Sequence, residues 1–344
     1  FKKAGHTLDV DITYSTAESY ADERLSHEYY DSVQTLYSTN YQNTIDDNQF
    51  TTSISKIDYV LPIGDSTNLE TGFHFTHRNS LGSFYSKSAA SDSIYSDDTG
   101  LINDFNYLQN VFAAYLTFGH QFKKLGIKGG LRAEETLTLS ELVQTNEEFT
   151  NNYFKLFPSV HFSYKFSPKT EMLLGYSKRI NRPRRHQLNP FSNYSDPYTL
   201  QRGNPFLMPE IIHLTELSYL RFWKKFNLNT TIYHRFIKDL HRRNLINEGA
   251  YSTVEFTNLG SSHLTGADLI LTYRPVKQVR ITSSTSVYNT STKDEEITGG
   301  EYQNYFGMNT NLMASLRLKT WSFQIQGDYS SRRYVLLGEI VPQY

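Results

Sequence analysis

Two strand-length runs between residues 301 and 331 alternate cleanly and are joined by almost nothing. Along the first, Tyr302, Phe306, Met308, Leu312, Ala314, Leu316 and Leu318 share one parity, and Gln303, Asn309, Asn311, Ser315, Arg317 and Lys319 share the other. Past a turn at Thr320, Trp321, Phe323, Ile325 and Tyr329 take one face, while Gln324, Gln326, Asp328 and Ser330 take the opposite one. Successive side chains on a strand point to opposite faces, so each run has one apolar and one hydrophilic wall. Strands of soluble domains are usually about 5–6 residues long. These are about twice that, the roughly 9–11 residues a tilted strand needs to cross a bilayer. The pattern specifies an all-β chain, an antiparallel transmembrane β-barrel with a greasy outside and a polar lumen.

The same period recurs along the chain. Leu8, Val10, Ile12 and Tyr14 oppose Thr7, Asp9, Asp11 and Thr13; Leu69, Phe73 and Phe75 oppose Glu70, His74 and Arg78; Ile127, Leu131 and Ala133 oppose Lys128, Arg132 and Glu134. Leu156, Val160, Phe162 and Tyr164 oppose Lys155, Ser159, His161 and Lys165, and further strands fit 170–180, 211–222, 226–238, 251–274 and 278–289, about thirteen in all. Short links near 62–66, 121–125, 167–170, 223–225, 275–278 and 320 alternate with long ones near 17–48, 80–103, 140–152, 181–210, 239–250 and 290–301. Membrane barrels alternate in this way, with tight periplasmic turns and long extracellular loops. The alternation holds if 251–274 is one long strand, with a bulge at Asn258-Leu259-Gly260-Ser261-Ser262; an ordinary turn there would add a strand and break it.

Composition bounds the alternatives. Hydrophobic residues make up 38% of 344, low for a globular chain, but a barrel with a wet lumen needs one apolar face only. The 26 Tyr and 22 Phe suit interfacial girdles and do not suit a disordered chain. With no cysteine, a disulfide framework and Cys-ligated metals are excluded. A net charge of -1 argues against nucleic-acid partners. The opening Phe1-Lys2-Lys3-Ala4-Gly5 reads as a turn inside a fold and not as a signal peptide. An odd strand count leads to the expectation of further strands on both sides, because bacterial barrels are even and closed.

The densest motif spans residues 176 to 210, with Tyr176, Ser177, Arg179, Ile180, Arg182, Pro183, Leu188 to Phe191, Asp196, Pro197, Gly203 to Pro205, Leu207, Pro209 and Glu210. It resembles the barrel of TonB-dependent outer-membrane receptors of the type common in Bacteroidota. Gly130 to Glu134, Phe157 to Ser159, Asn258 and Gly266 look like further landmarks in the same order. The resemblance implies an outer-membrane location and part of a 22-stranded barrel. An N-terminal plug would fill that barrel, and TonB would pull on the plug to drive uptake of an iron chelate, glycan, peptide or vitamin. Signal peptide, plug and TonB box are expected outside these residues. The implied partners are outer-membrane lipids and TonB, reached through the plug region. The alternative is a non-transporting scaffold bound to surface or periplasmic lipoproteins.

Candidate residues follow from chemistry. Arg179, Arg182, Arg184, Arg185 and His186 crowd eight positions. Guanidinium groups clamp carboxylates and phosphates bidentately, so Arg184, Arg185 and His186, with Tyr194 and Tyr198 beyond, form the expected ligand-binding set. The competing reading pairs these arginines with lumen carboxylates; Arg179 and Arg182, which match the family pattern, are read so. Asp9, Asp11, His74, Lys128, Arg132, Glu134, Arg317 and Asp328 are expected to face the lumen. Asp92, Asp97 and Asp98 near Gly100 offer oxygen ligands for calcium but lack EF-hand spacing, and His74 and His77, three apart on a strand, face opposite walls, so no metal or cofactor is assigned. No catalytic constellation stands out, and no enzyme is expected.

Overall fold

The structure, a computed structural model, describes residues 5–89, 95–97, 102–191, 199–247, 249, 252–293, 299–335 and 338–340. The first half holds β1 (Thr7–Tyr30), β2 (Leu36–Ile63), β3 (Thr67–Ala89), β4 (Ser96–Asp97), β5 (Asn103–Gln121), β6 (Leu125–Leu142), β7 (Glu147–Thr150), β8 (Tyr153–Ser167) and β9 (Thr170–Asn181). A one-turn helix α1 (Arg185–Leu188) leads to β10 (Thr199–Arg202), β11 (Glu210–Phe222), β12 (Phe226–Lys238), β13 (His241–Asn247), β14 (Ser252–Asn258) and β15 (Ser261–Tyr273). β16 (Val279–Lys293), β17 (Tyr302–Leu318), β18 (Trp321–Ser330), β19 (Arg333–Val335) and β20 (Gly338–Ile340) follow.

One antiparallel sheet carries the order β1-β2-β3-β5-β6-β8-β9-β11-β12-β15-β16-β17-β18, with β4 and β7 off this path. Its register separates two chemistries. Ile127, Phe162, Leu174, Leu217, Ile232, Ala267, Val287 and Met308 are successive cross-strand partners, one apolar row over eight strands. The opposite face carries Lys128, His161, Gly175, Glu216, Tyr233, Gly266, Tyr288 and Gly307 in register. On that face Tyr233 lies across Gly266 and Tyr288 across Gly307, a close approach that a Cβ would block.

The apolar face is open to its surroundings: Val10 is 61% exposed, Leu116 53%, Ile232 57% and Ile325 74%. So large an apolar surface is incompatible with water and matches a lipid-facing wall. At the short-turn end Phe122, Phe166, Trp223, Tyr273 and Trp321 stand exposed, an aromatic girdle at one interface.

Two expectations are corrected. Residues 17–48 are not a loop. β1 and β2 continue as a ladder as far as the pair Tyr30–Leu36, and the turn is closed by Asp31, whose carboxylate accepts Val33 N at 2.9 Å and Thr35 N at 2.8 Å. Likewise 251–274 is not one bulged strand. β14 belongs to a separate sheet of order β10-β14-β13, and the chain passes into β15 through Gly260 at φ 73°. The long connection therefore runs from 239 to 260, and short and long links alternate from β2 onward; at the first link the ladder itself extends and closes in the five-residue turn 31–35.

Candidate functional site

Between β9 and β11 the described residues, 182–191 and 199–209, fold back over the polar face of the wall, and an ionic chain holds their start. Arg182 leaves β9 and donates through Nη2 to Glu134 Oε2 at 2.5 Å and to Thr136 Oγ1 at 3.1 Å. Glu134 also accepts Arg132 Nε at 2.6 Å. Arg132 Nη1 lies 3.1 Å from His74 Nδ1, and His74 Nε2 lies 2.9 Å from Asp58, which accepts the Tyr115 hydroxyl at 2.8 Å. An arginine donating to Nδ1 leaves the imidazole proton on Nε2, where it points at the carboxylate.

Apolar packing holds the rest of the segment. Phe105, Tyr107, Leu142, Leu188 and Leu207 form a small buried core, with Phe105 0% and Leu207 1% exposed. Gly203 donates from its N–H to Asn189 O at 2.7 Å, and a Cβ there would sit 2.6 Å from the Gln187 carbonyl carbon, so only glycine fits. Asn258 pins the far end: its Nδ2 donates to the carbonyls of Met208 and Asp239 at 2.8 Å each, and its Oδ1 accepts Met208 N at 2.7 Å. Glu210 accepts Asn181 Nδ2 at 2.8 Å and His241 N at 2.7 Å.

Between this folded segment and the wall lies a cavity of about 210 Å³. Asp46, Gly82, Phe84 and Asn103 form the floor, on the polar face of β2, β3 and β5. Arg185, His186 and Phe191 cover it, and Arg243 and Phe256 close one side. The Arg185 guanidinium lies across Gly82, donates to Asn48 Oδ1, and stands 5.8 Å from the Phe50 ring centre. Arg243 lies 5.4 Å over the Phe256 ring. Arg202 is committed to Glu255 Oε2 through Nε and Nη2, at 3.1 and 2.8 Å.

Burial lowers the Arg185 pKa, opposed by the nearby charge of Asp46. The His186 pKa is lowered by burial first, then by the charges of Arg184, Arg243 and Arg185. Above pH 6.5, the ordinary histidine value, His186 is neutral folded or unfolded and contributes nothing. As the pH falls below 6.5 the unfolded chain takes up the proton first, so the folded segment loses stability. Thermal melting of the wild type between pH 7 and 5 should therefore fall more steeply than that of His186→Gln.

Of the expected ligand-binding set, Arg185 and His186 line the cavity; Arg184 precedes α1 with an exposed side chain, its N–H donating to Gln187 Oε1 at 2.8 Å. Tyr194 and Tyr198 lie outside the described residues, as do Asp92 and Asp98. Asp97 accepts the Tyr85 hydroxyl and lies 3.7 Å from Lys87 Nζ, and no cluster of three metal-ligating acids or histidines occurs among the described residues. Asp9, Asp11, His74, Lys128, Arg132, Glu134, Arg317 and Asp328 all fall on the polar face by register. Lys128 donates to both oxygens of Glu70 at 2.9 Å, and Asp328 accepts Asn311 Nδ2 at 2.5 Å. Sequence reasoning missed Asp46, Phe84, Asn103, Arg243 and Phe256. The continued polar-face parity of β2 and β3 marks Asp46 and Phe84, but nothing local marks the others.

The model of a family described as an outer membrane protein beta-barrel family matches residues 1–344. No curated protein matches the chain. Among solved structures, the chain is similar to the ferric citrate transporter FecA, with TM-score 0.69 and 13% identity over 97% of this chain and 47% of that one. It is similar to the copper transporter OprC, with TM-score 0.70 and 11% identity over 98% of this chain and 52% of that one. The siderophore receptor PiuA from Acinetobacter baumannii gives TM-score 0.66 and 11% identity over 98% and 54%. The chain thus spans about half the length of the solved structures it matches.

Proposed function

The chain belongs to the outer membrane protein β-barrel family, and from that premise we propose that it is the outer-membrane wall of a TonB-dependent uptake receptor. The observation that carries this reading is the folded β9–β11 segment, which sets Arg185 and His186 over a cavity on the polar face, at the end of the wall away from the short turns. Long connections of membrane barrels lie outside the cell, so a solute would meet this cavity before the lumen. Its arginines would hold an acidic group. A plug docked against Asp9, Asp11, Lys128, Arg317 and Asp328 would be remodelled by TonB, and the solute would pass to the periplasm. The work is binding and passage; no covalent step is assigned to any residue. The solved neighbours named above are, by their descriptions, transporters and a receptor, which supports the same reading.

Spent culture medium tests it. A solute depleted by wild-type cells should remain in the medium of cells lacking this protein and of cells lacking TonB. If no solute is retained in both, the uptake reading is wrong.

Gly82 gives a sharper local test. A Cβ at this position meets the ends of the Arg185 and Asn48 side chains before any backbone atom, so Gly82→Ala should leave the barrel folded while displacing the guanidinium. Affinity for an acidic probe such as benzoate, measured by calorimetry, should fall about tenfold or more. Unchanged affinity would remove Arg185 from the site.

A further inference from the structure

The cavity floor holds more than an anion needs. Asp46, Phe84 and Asn103 are consecutive partners in one register row across β2, β3 and β5. Neighbouring strands lie about 4.8 Å apart, so an acceptor stands on each side of Phe84, their backbones roughly 10 Å apart across the sheet. Asp46 accepts Asn48 Nδ2 at 2.7 Å, and no ion pair among the described residues includes it. Asn103 is 3% exposed, and its Oδ1 has no hydrogen-bond partner among the described residues. A buried acceptor left so is costly, and a donor from a bound molecule removes that cost.

The cationic side also lacks contact ion pairs, although Arg185 donates to Asn48 and Arg243 lies over Phe256. Arg185 and Arg243 also take part in no ion pair among the described residues, while Arg202 is matched by Glu255. Both signs of charge therefore face one cavity without neutralising each other by contact. A simple anion would satisfy the arginines but would meet Asp46 and leave Asn103 Oδ1 unpaired. A solute carrying a carboxylate, an ammonium and a further N–H satisfies every group. Phe84 and Phe191, with ring centres 6.4 Å apart, offer an apolar wall for its side chain. A volume of about 210 Å³, roughly seven waters in liquid, suits a small molecule and excludes a folded one.

We propose that the cavity binds small zwitterions of the amino-acid and short-peptide class. The carboxylate lies on Arg185 and Arg243, the ammonium on Asp46, and an N–H on Asn103. This rests on the reading of the cavity as the capture site of the receptor.

Calorimetry on the full-length protein in detergent tests it with four probes: the dipeptide phenylalanyl-alanine, its N-acetylated form, its C-terminal amide, and benzoate. The free dipeptide should bind, and each capped form should bind about tenfold more weakly or worse. Asp46→Asn should weaken the free dipeptide and leave the acetylated one unchanged. Arg243→Gln should weaken the free dipeptide and leave the amide unchanged. Both side chains are exposed, so neither substitution threatens the fold. Equal binding of the free and acetylated dipeptides overturns the proposal. Absence of dipeptide binding also overturns it, and benzoate then decides the underlying reading: benzoate binding lost in Arg243→Gln keeps the cavity as a capture site, and no binding of any probe ends both.

Discussion

Leu116→Arg should destabilise the protein in a bilayer by about 2–4 kcal/mol, the cost of a lipid-facing charge near the midplane of a barrel. Thr117→Arg, one residue on, should cost less than about 1 kcal/mol. The contrast follows from register. Leu116 lies between Thr71 and Leu131 on the apolar face, five positions from the end of β5 at the short turn, and is 53% exposed to its surroundings. Thr117 lies between Glu70 and Gly130 on the polar face, where a guanidinium can reach water and a carboxylate. Urea unfolding in lipid vesicles reads both variants. Equal costs on the two faces would mean that the wall is not set in lipid as the register requires.

Glu134→Gln should release the folded β9–β11 segment at a cost of about 3 kcal/mol. Glu134 is 7% exposed and is the acceptor that joins Arg132 to Arg182. Removing its charge leaves two guanidinium groups facing each other, and breaking a buried pair in this way costs about 3–5 kcal/mol; the lower end applies because Arg132 retains 31% side-chain exposure. The barrel ladder is untouched, so the effect should be local. Limited proteolysis should cut within 182–191 or 199–209 in the variant while β-sheet circular dichroism stays unchanged. Resistance equal to wild type would show that the apolar core of Phe105, Leu188 and Leu207 alone holds the segment.

What the sequence makes legible follows from what each strand touches. In the bilayer one face meets lipid and the other water, so Leu312 to Leu318 and Trp321 to Ile325 announce their faces residue by residue. Beyond the membrane both faces of β1 and β2 meet water and the contrast fades. Tyr20, Asp22, Glu23 and Arg24 then look like a loop, although the backbone ladder continues to Tyr30. The break at Asn258-Leu259-Gly260 is visible in the sequence, but its meaning is not, because β14 pairs in parallel with β10, some 50 positions earlier in the chain. Arg182 reads as structural from its motif, and its bond to Glu134 supplies the reason. The cavity is the least legible part. Asp46, Asn103, Arg185 and Arg243 come from four distant stretches, and no local pattern links them.

The most direct test is a structure of the full-length protein extracted from the outer membrane together with whatever co-purifies. In an uptake receptor, the strands of the large sheet, β1-β2-β3-β5-β6-β8-β9-β11-β12-β15-β16-β17-β18, form consecutive staves of one closed barrel around a plug. The cavity over Gly82 and Phe84 then opens to the cell exterior, and an N-terminal segment is free to reach TonB. A barrel whose mouth is sealed by other subunits, with no segment able to reach TonB, would contradict uptake and leave a scaffold in its place.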